Sequence, residues 1–79
     1  MSIEEFEARL IEQGMRCAIC KEEFDPDIHD RKPVVDHDHK TGCVRGLLCH
    51  KCNLALGHFG DDVNRLLSAV EYLRKQDQS

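Results

Sequence analysis

The stretch VVDHDHKTG, Val34 to Gly42, lies between two C-x-x-C pairs, Cys17/Cys20 and Cys49/Cys52, and the second pair runs directly into Asn53. The pairs are separated by 28 residues. Two such pairs at this distance are the spacing of a tetrahedral thiolate site, each pair supplying two sulfurs from one knuckle. Four soft thiolates suit zinc, and a filled tetrahedron has no open position, so Cys17, Cys20, Cys49 and Cys52 are expected to hold a structural Zn2+. An iron site of similar sulfur geometry and a redox C-x-x-C are the competing readings, although a redox centre does not need two pairs. The fifth cysteine, Cys43, is expected to be a small buried residue of the segment between the pairs, with a reactive thiol or alternative ligand as the sharper reading.

A metal tie answers a need set by length. The chain has 79 residues, 5% of them aromatic, with no Trp. One domain of this size buries too small a fraction of its surface to be stable by a wide margin on apolar contacts alone. Its core is expected to come mainly from Leu, Ile, Val and the three Phe. Five cysteines also fit a secreted disulfide scaffold. No apolar leader stands at Met1, however, and SIEEFEARLIEQG reads as an amphipathic helix, so a reducing cytoplasmic setting is expected. No run approaches the roughly 20 apolar residues of a membrane span.

Working outward, Ser2 with Glu5 fits a capping box ahead of a helix over residues 3–13 that ends near Gly14. KEEFDPDIHDRKP reads as a loop. Val34 and Val35 begin a strand, KTG turns, and Val44 returns antiparallel to form a hairpin. A helix from about Cys49 or Lys51 to Leu56 follows, stopped by Gly57 and Gly60. Asp61 and Asp62 suit the start of a last helix, whose apolar face is Val63, Leu66, Leu67, Val70 and Leu73 and which frays into KQDQS. The whole chain, 1–79, is one small α+β domain.

The net charge of −4 argues against nucleic acid, whose binding footprint is usually basic, but its distribution argues otherwise. Residues 31–53 carry Arg31, Lys32, Lys40, Arg45 and Lys51 against Asp36 and Asp38, a local +3, leaving −7 elsewhere. Within this basic segment, a strand would send Asp36 and Asp38 to one face and His37 and His39 to the other. Surface hydrogen bonding is the plain reading of any one Asp-His pair. Asn53 alters the balance, because the cysteine knuckle holds it at the start of a helix. One carboxylate and one amide oxygen, Asp36 and Asn53, suit a hard cation such as Mg2+, and His37 can then stay neutral and accept a proton from water. His29, His50 and His58 read as structural or solvent-exposed. Phe59, Tyr72 and the leucines of the last helix read as core or self-association surface.

The succession C-x-x-C, DHDH, TG, RGLLC-x-x-CN and LG resembles the recombination endonuclease VII branch of the HNH nucleases, also called His-Me finger or ββα-metal nucleases. The resemblance runs from about Arg16 to Leu73, and VRGLLCHKCN is its most specific part. It implies a zinc-stapled ββα-metal core flanked by an N-terminal and a C-terminal helix. It implies Asp36 and Asn53 as ligands of a catalytic Mg2+, with Mn2+ or another divalent ion able to substitute. His37 is then the general base, and His39 a residue that contacts phosphate or supports the site. The implied reaction is DNA phosphodiester hydrolysis leaving 5′-phosphate and 3′-hydroxyl ends, with Arg45 and Lys40 as phosphate contacts. DNA is the implied partner, a homodimer or a phage or mobile-element protein the further candidates, and a host cell's cytoplasm the setting. The long C-terminal region that the recombination enzyme uses for dimerisation and four-way junctions has no counterpart here, so junction resolution by this polypeptide alone is not expected. The alternative from another class is a non-catalytic zinc-stabilised module that binds nucleic acid or protein.

Overall fold

Ser2 opens the first helix, α1 (Ile3–Glu12), by accepting a hydrogen bond from the Glu5 amide at 3.1 Å. In the computed structural model, which describes residues 1–77, the remaining elements are β1 (Pro33–His37), β2 (Val44–Cys49), α2 (His50–His58) and α3 (Val63–Asp77), with one 3-10 turn, His29–Arg31, inside the long loop. The fold is a small α+β arrangement of three helices and one two-stranded sheet.

The hairpin is antiparallel, pairing Pro33 with Cys49, Val34 with Leu48, Val35 with Leu47 and Asp36 with Gly46. Pro33, which has no N–H to give, stands at the strand's first position, where that loss is tolerated. His37 then pairs with Val44, so Arg45 is an extra residue on β2. Such a bulge bends the strand locally and re-aims side chains. At the tip, Asp38 Oδ1 accepts from the Lys40 and Thr41 amides at 2.8 and 3.1 Å. Those two amides hold the Asp38 carboxyl below its ordinary range. The strand ends at His37, so the expected alternation does not extend through Asp38 and His39.

The core is smaller and richer in sulfur than composition suggested. Cys17, Leu47, Leu48 and Cys49 are its buried members, with Cys20, Phe24, Cys52 and Leu56 packed against it. The three Phe do not form it: Phe6 and Phe24 are half-buried and Phe59 is exposed. Cys43 is exposed on the hairpin, against the expectation of burial, because it lies in the tip beyond the last paired residues and away from the cysteine knuckles.

Gln13 joins α1 to this core. Its Oε1 accepts from the Leu47 amide and its Nε2 donates to the Leu47 carbonyl, both at 2.9 Å. These backbone groups therefore point away from β1, and the side-chain amide pairs with them as a third strand would. Gly46 lies against it, where a Cβ would stand 3.4 Å from Gln13 Oε1, at the edge of ordinary contact.

The helix α2 packs on both strands and on the 3-10 turn, whose His29 meets His50 edge to face with ring centroids 4.3 Å apart. Gly57 lies inside α2 and does not stop it. The chain turns at Gly60 (φ +68°), a left-handed conformation that suits glycine, and Asp61 follows with φ +58°. Asp62 starts α3 by accepting from the Arg65 amide at 3.1 Å. The helix α3 runs on to Asp77, past the expected fraying point, and the end of that tail, 78–79, lies outside the described residues.

Candidate functional site

The two C-x-x-C segments meet where the Cys17 turn abuts the junction of β2 and α2. Cys49 is the N-cap of α2, its Sγ accepting from the Cys52 amide at 3.5 Å, and Cys17 Sγ accepts from the Ile19 amide at 3.4 Å. All four sulfurs lie within 4.8 Å of one another. Cys20 Sγ and Cys49 Sγ are 3.8 Å apart, which agrees with the edge of about 3.8 Å in a tetrahedron of 2.3 Å Zn–S bonds and is far beyond the roughly 2.05 Å of a disulfide.

Their protonation also calls for a cation. Burial pushes the Cys49 and Cys52 thiols up, and adjacent thiols push Cys52 further. Cys17 moves down to about 6: burial opposes this, but the amides of Cys49, Cys20 and Ile19 outweigh it. The cluster thus accommodates negative charge at Cys17 and resists it at Cys49 and Cys52 unless a positive ion sits among the sulfurs. The donor set and spacing fit a structural metal ion, with no position left for a substrate.

A second site lies at the far end of the hairpin. Asp36 is 8% exposed at the last regular pair of the sheet, and Asn53 is half-buried in α2, one turn beyond its cap. Both line a pocket of about 300 Å³ with His39, His58 and Asp61. The two residues expected to supply oxygen ligands therefore line one pocket. His37, the next residue after Asp36, is exposed at the end of β1 and is not among the lining residues. His39 is, although its ring is largely exposed, with Nε2 3.8 Å from Asp61 Oδ2.

Arg45 is engaged by carboxylates of the protein itself. Its Nε donates to Asp36 Oδ2 at 2.7 Å, and its Nη2 donates to Asp36 Oδ1 and to Asp61 Oδ2, each at 3.0 Å. The bond to Asp36 is the main cause that strengthens the guanidinium's hold on its protons. The bulge accounts for this reach: one extra residue on β2 turns the Arg45 side chain toward the strand partner's carboxylate. Lys40 stands exposed at the hairpin tip, lining with Arg45, His39 and Asp61 a wider groove beside the pocket.

Two contributors were not legible as such. Asp61 reads as a helix-start carboxylate, yet Asp62 alone caps α3 while Asp61 turns to Arg45. The available signal was the doubled acid, since one cap needs one carboxylate. Gln13 had no signal for this role, because the Leu47 groups that it holds are 34 residues away.

Comparison with known proteins gives the chain a family. The family model for recombination endonuclease VII matches residues 1–75. The Gene 59 protein of Mycobacterium phage D29 is 45% identical over 76 residues, a match covering 95% of this chain and 44% of that protein. The Gene 59 protein of Mycobacterium phage L5 is 47% identical over 62 residues, covering 77% of this chain and 36% of that protein. The chain thus spans less than half the length of these relatives. With the family match running over all but the last residues, the chain belongs to the recombination endonuclease VII family.

Proposed function

We propose that this chain is a metal-dependent DNA endonuclease of the HNH, or His-Me finger, type, stapled by a structural zinc ion at Cys17, Cys20, Cys49 and Cys52. The observation that carries the proposal is the shared pocket of Asp36 and Asn53 in a recombination endonuclease VII chain. One carboxylate and one amide oxygen form a donor pair for Mg2+, or for Mn2+ in its place, with waters and phosphate oxygens completing the shell. When bound, that ion supplies Lewis-acid stabilisation of charge on the phosphate and on the leaving oxygen.

The protein's own groups do the rest. Asp36 and Asn53 orient the cation from a hairpin and a helix whose junction is the cysteine knuckle. His37, exposed at the end of β1, takes a proton from water attacking phosphorus in line. The P–O3′ bond breaks and the departing oxygen takes a proton from solvent water, leaving a 5′-phosphate and a 3′-hydroxyl. Lys40 and the outer edge of Arg45 contact neighbouring phosphates, which sets register and salt sensitivity without reading sequence. The exposed apolar stripe of α3 suits a homodimer or a phage-protein partner, and kinship with phage proteins suits action on DNA in a host cell's cytoplasm. No helix among the described residues is long and apolar enough to cross a membrane.

A second reading of the base has its own observation: His39 lines the pocket and His37 does not. Plasmid nicking with Mg2+, with and without chelator, decides these points. Wild type is expected to relax supercoiled plasmid, His37→Ala to lose at least about a hundredfold in rate, as loss of a general base does, and His39→Ala to lose less. The reverse order would move the base to His39. Intact supercoiled plasmid with Mg2+, Mn2+ and Ni2+ would sink the enzyme reading and leave a zinc-stabilised binding module.

A further inference from the structure

Among the described residues, Asp61 is the only carboxylate besides Asp36 that lines the pocket holding Asn53. It is not grouped with Asp36 as a ligand. Among the described residues, the four cysteines are the only set of three or more His, Cys, Asp or Glu groups close enough to hold one ion. Between the two carboxylates stands Arg45, whose Nη2 donates to both at 3.0 Å while its Nε holds Asp36 at 2.7 Å. A guanidinium is a rigid planar fork, so two carboxylates on it are held in a fixed mutual relation.

Asp61 is itself fixed to α2. Its amide donates to the Leu56 carbonyl at 2.9 Å from a left-handed backbone conformation. Asn53 sits in the first part of that same helix. The closed circuit therefore runs from Asn53 along α2 to Asp61, across Arg45 to Asp36, and so ties the helix to the hairpin at the pocket. A carboxylate has about four lone-pair positions, so Asp36 can hold the guanidinium and still face the pocket.

We infer that Asp61 is a positioning residue, which acts through Arg45 to fix the Asp36 carboxylate relative to Asn53 at the spacing a divalent cation needs. The inference rests on the reading of Asp36 and Asn53 as the cation's donors. It makes a prediction that charge alone does not. If only charge mattered, removing the cationic Arg45 beside Asp36 would tighten cation binding; if Arg45 positions Asp36, removing it weakens binding.

The test is titration of the zinc-loaded full chain with Mn2+, followed by the electron paramagnetic resonance signal of the free ion, with zinc content and circular dichroism checked for each variant. Asp36→Asn should abolish the site. Asp61→Asn, Arg45→Gln and Arg45→Lys should each weaken Mn2+ binding about tenfold, the usual scale for loss of a group that orients a ligand. Asp61→Glu should restore most of the affinity. The double variant Asp61→Asn with Arg45→Gln should be no weaker than Arg45→Gln alone, because both changes break one circuit. Arg45→Lys keeps the charge and answers the question if Arg45→Gln does not fold. Tighter binding in Arg45→Gln, or additive losses in the double variant, would overturn the inference while leaving the cation site standing. Mn2+ binding unaffected by Asp36→Asn would remove the cation reading itself.

Discussion

The cysteine knuckle and the last helix use apolar residues in opposite ways. At the knuckle, Cys17, Leu47, Leu48 and Cys49 are no more than 3% exposed. Along α3, Val63 and Leu73 are 67% and 65% exposed, and Leu67 and Val70 are exposed as well, although they share one helical stripe. The helix packs on no other element to the extent that α2 packs on the hairpin. Order in this chain therefore follows the sulfur cluster and not the longest apolar pattern. A helix of 15 residues with a cap can form along its own axis, whereas a short hairpin is at best marginal alone and needs a partner surface.

The comparison predicts a ranking. Cys49→Ser, or removal of zinc by a chelator, should have the largest effect, because Cys49 is at once a sulfur donor, a core residue and the cap of α2. Structural zinc contributes about 10–16 kcal/mol in small peptides, which is comparable to the whole stability of a domain. Far-UV circular dichroism and zinc stoichiometry should fall together, while His37→Ala should stay folded and zinc-loaded. If the two variants melt alike, the separation of staple from chemistry is wrong. Acid should act in the same direction as the chelator. The Cys17 thiol lies at about 6 against an ordinary 9.0, so its contribution is complete above about 9 and is lost as pH falls through about 6. Zinc content measured down a pH series should fall, because protons compete with the ion for the four thiolates.

Gln13→Ala comes next. It leaves the Leu47 amide without a partner in a buried strand, while the Leu47 carbonyl keeps the Ala18 amide at 3.2 Å, which should cost roughly 1–3 kcal/mol. A lower midpoint in urea with unchanged zinc content is the expected result, and an unchanged midpoint would mean that water replaces the side chain at no cost. Leu73→Ser should matter least, within about 0.5 kcal/mol as for other exposed positions. A loss as large as that of Gln13→Ala would show that α3 is packed against a partner, and would break the comparison with the knuckle.

Much of this was legible in the residues. Ser2 with Glu5 located the first helix and Val34–Val35 with Val44 the hairpin, because each rests on local spacing, and Asn53 drew notice because it directly follows the last paired cysteine. Cys43 misled, since cysteines as a class are buried and the chain gives no sign of which one falls in a hairpin tip. Gly57 misled because helix interiors tolerate a glycine at modest cost. The engagement of Arg45 was invisible, since it depends on a bulge that inserts one residue into β2 and on a carboxylate 16 residues away.

By itself, then, the sequence picked out which groups offer donors: four thiols that could hold one ion, the acid and amide proposed here for another, and histidines next to the acid. Those assignments follow from donor type and local spacing, which folding does not alter. Only the tertiary structure decided what each group is bound to. It placed His39 and not His37 on the pocket wall, committed Arg45 to Asp36 and Asp61, and set Gln13 against Leu47. Contacts between residues distant in the chain depend on register, bulges and helix ends, and these are settled by the packing of the whole.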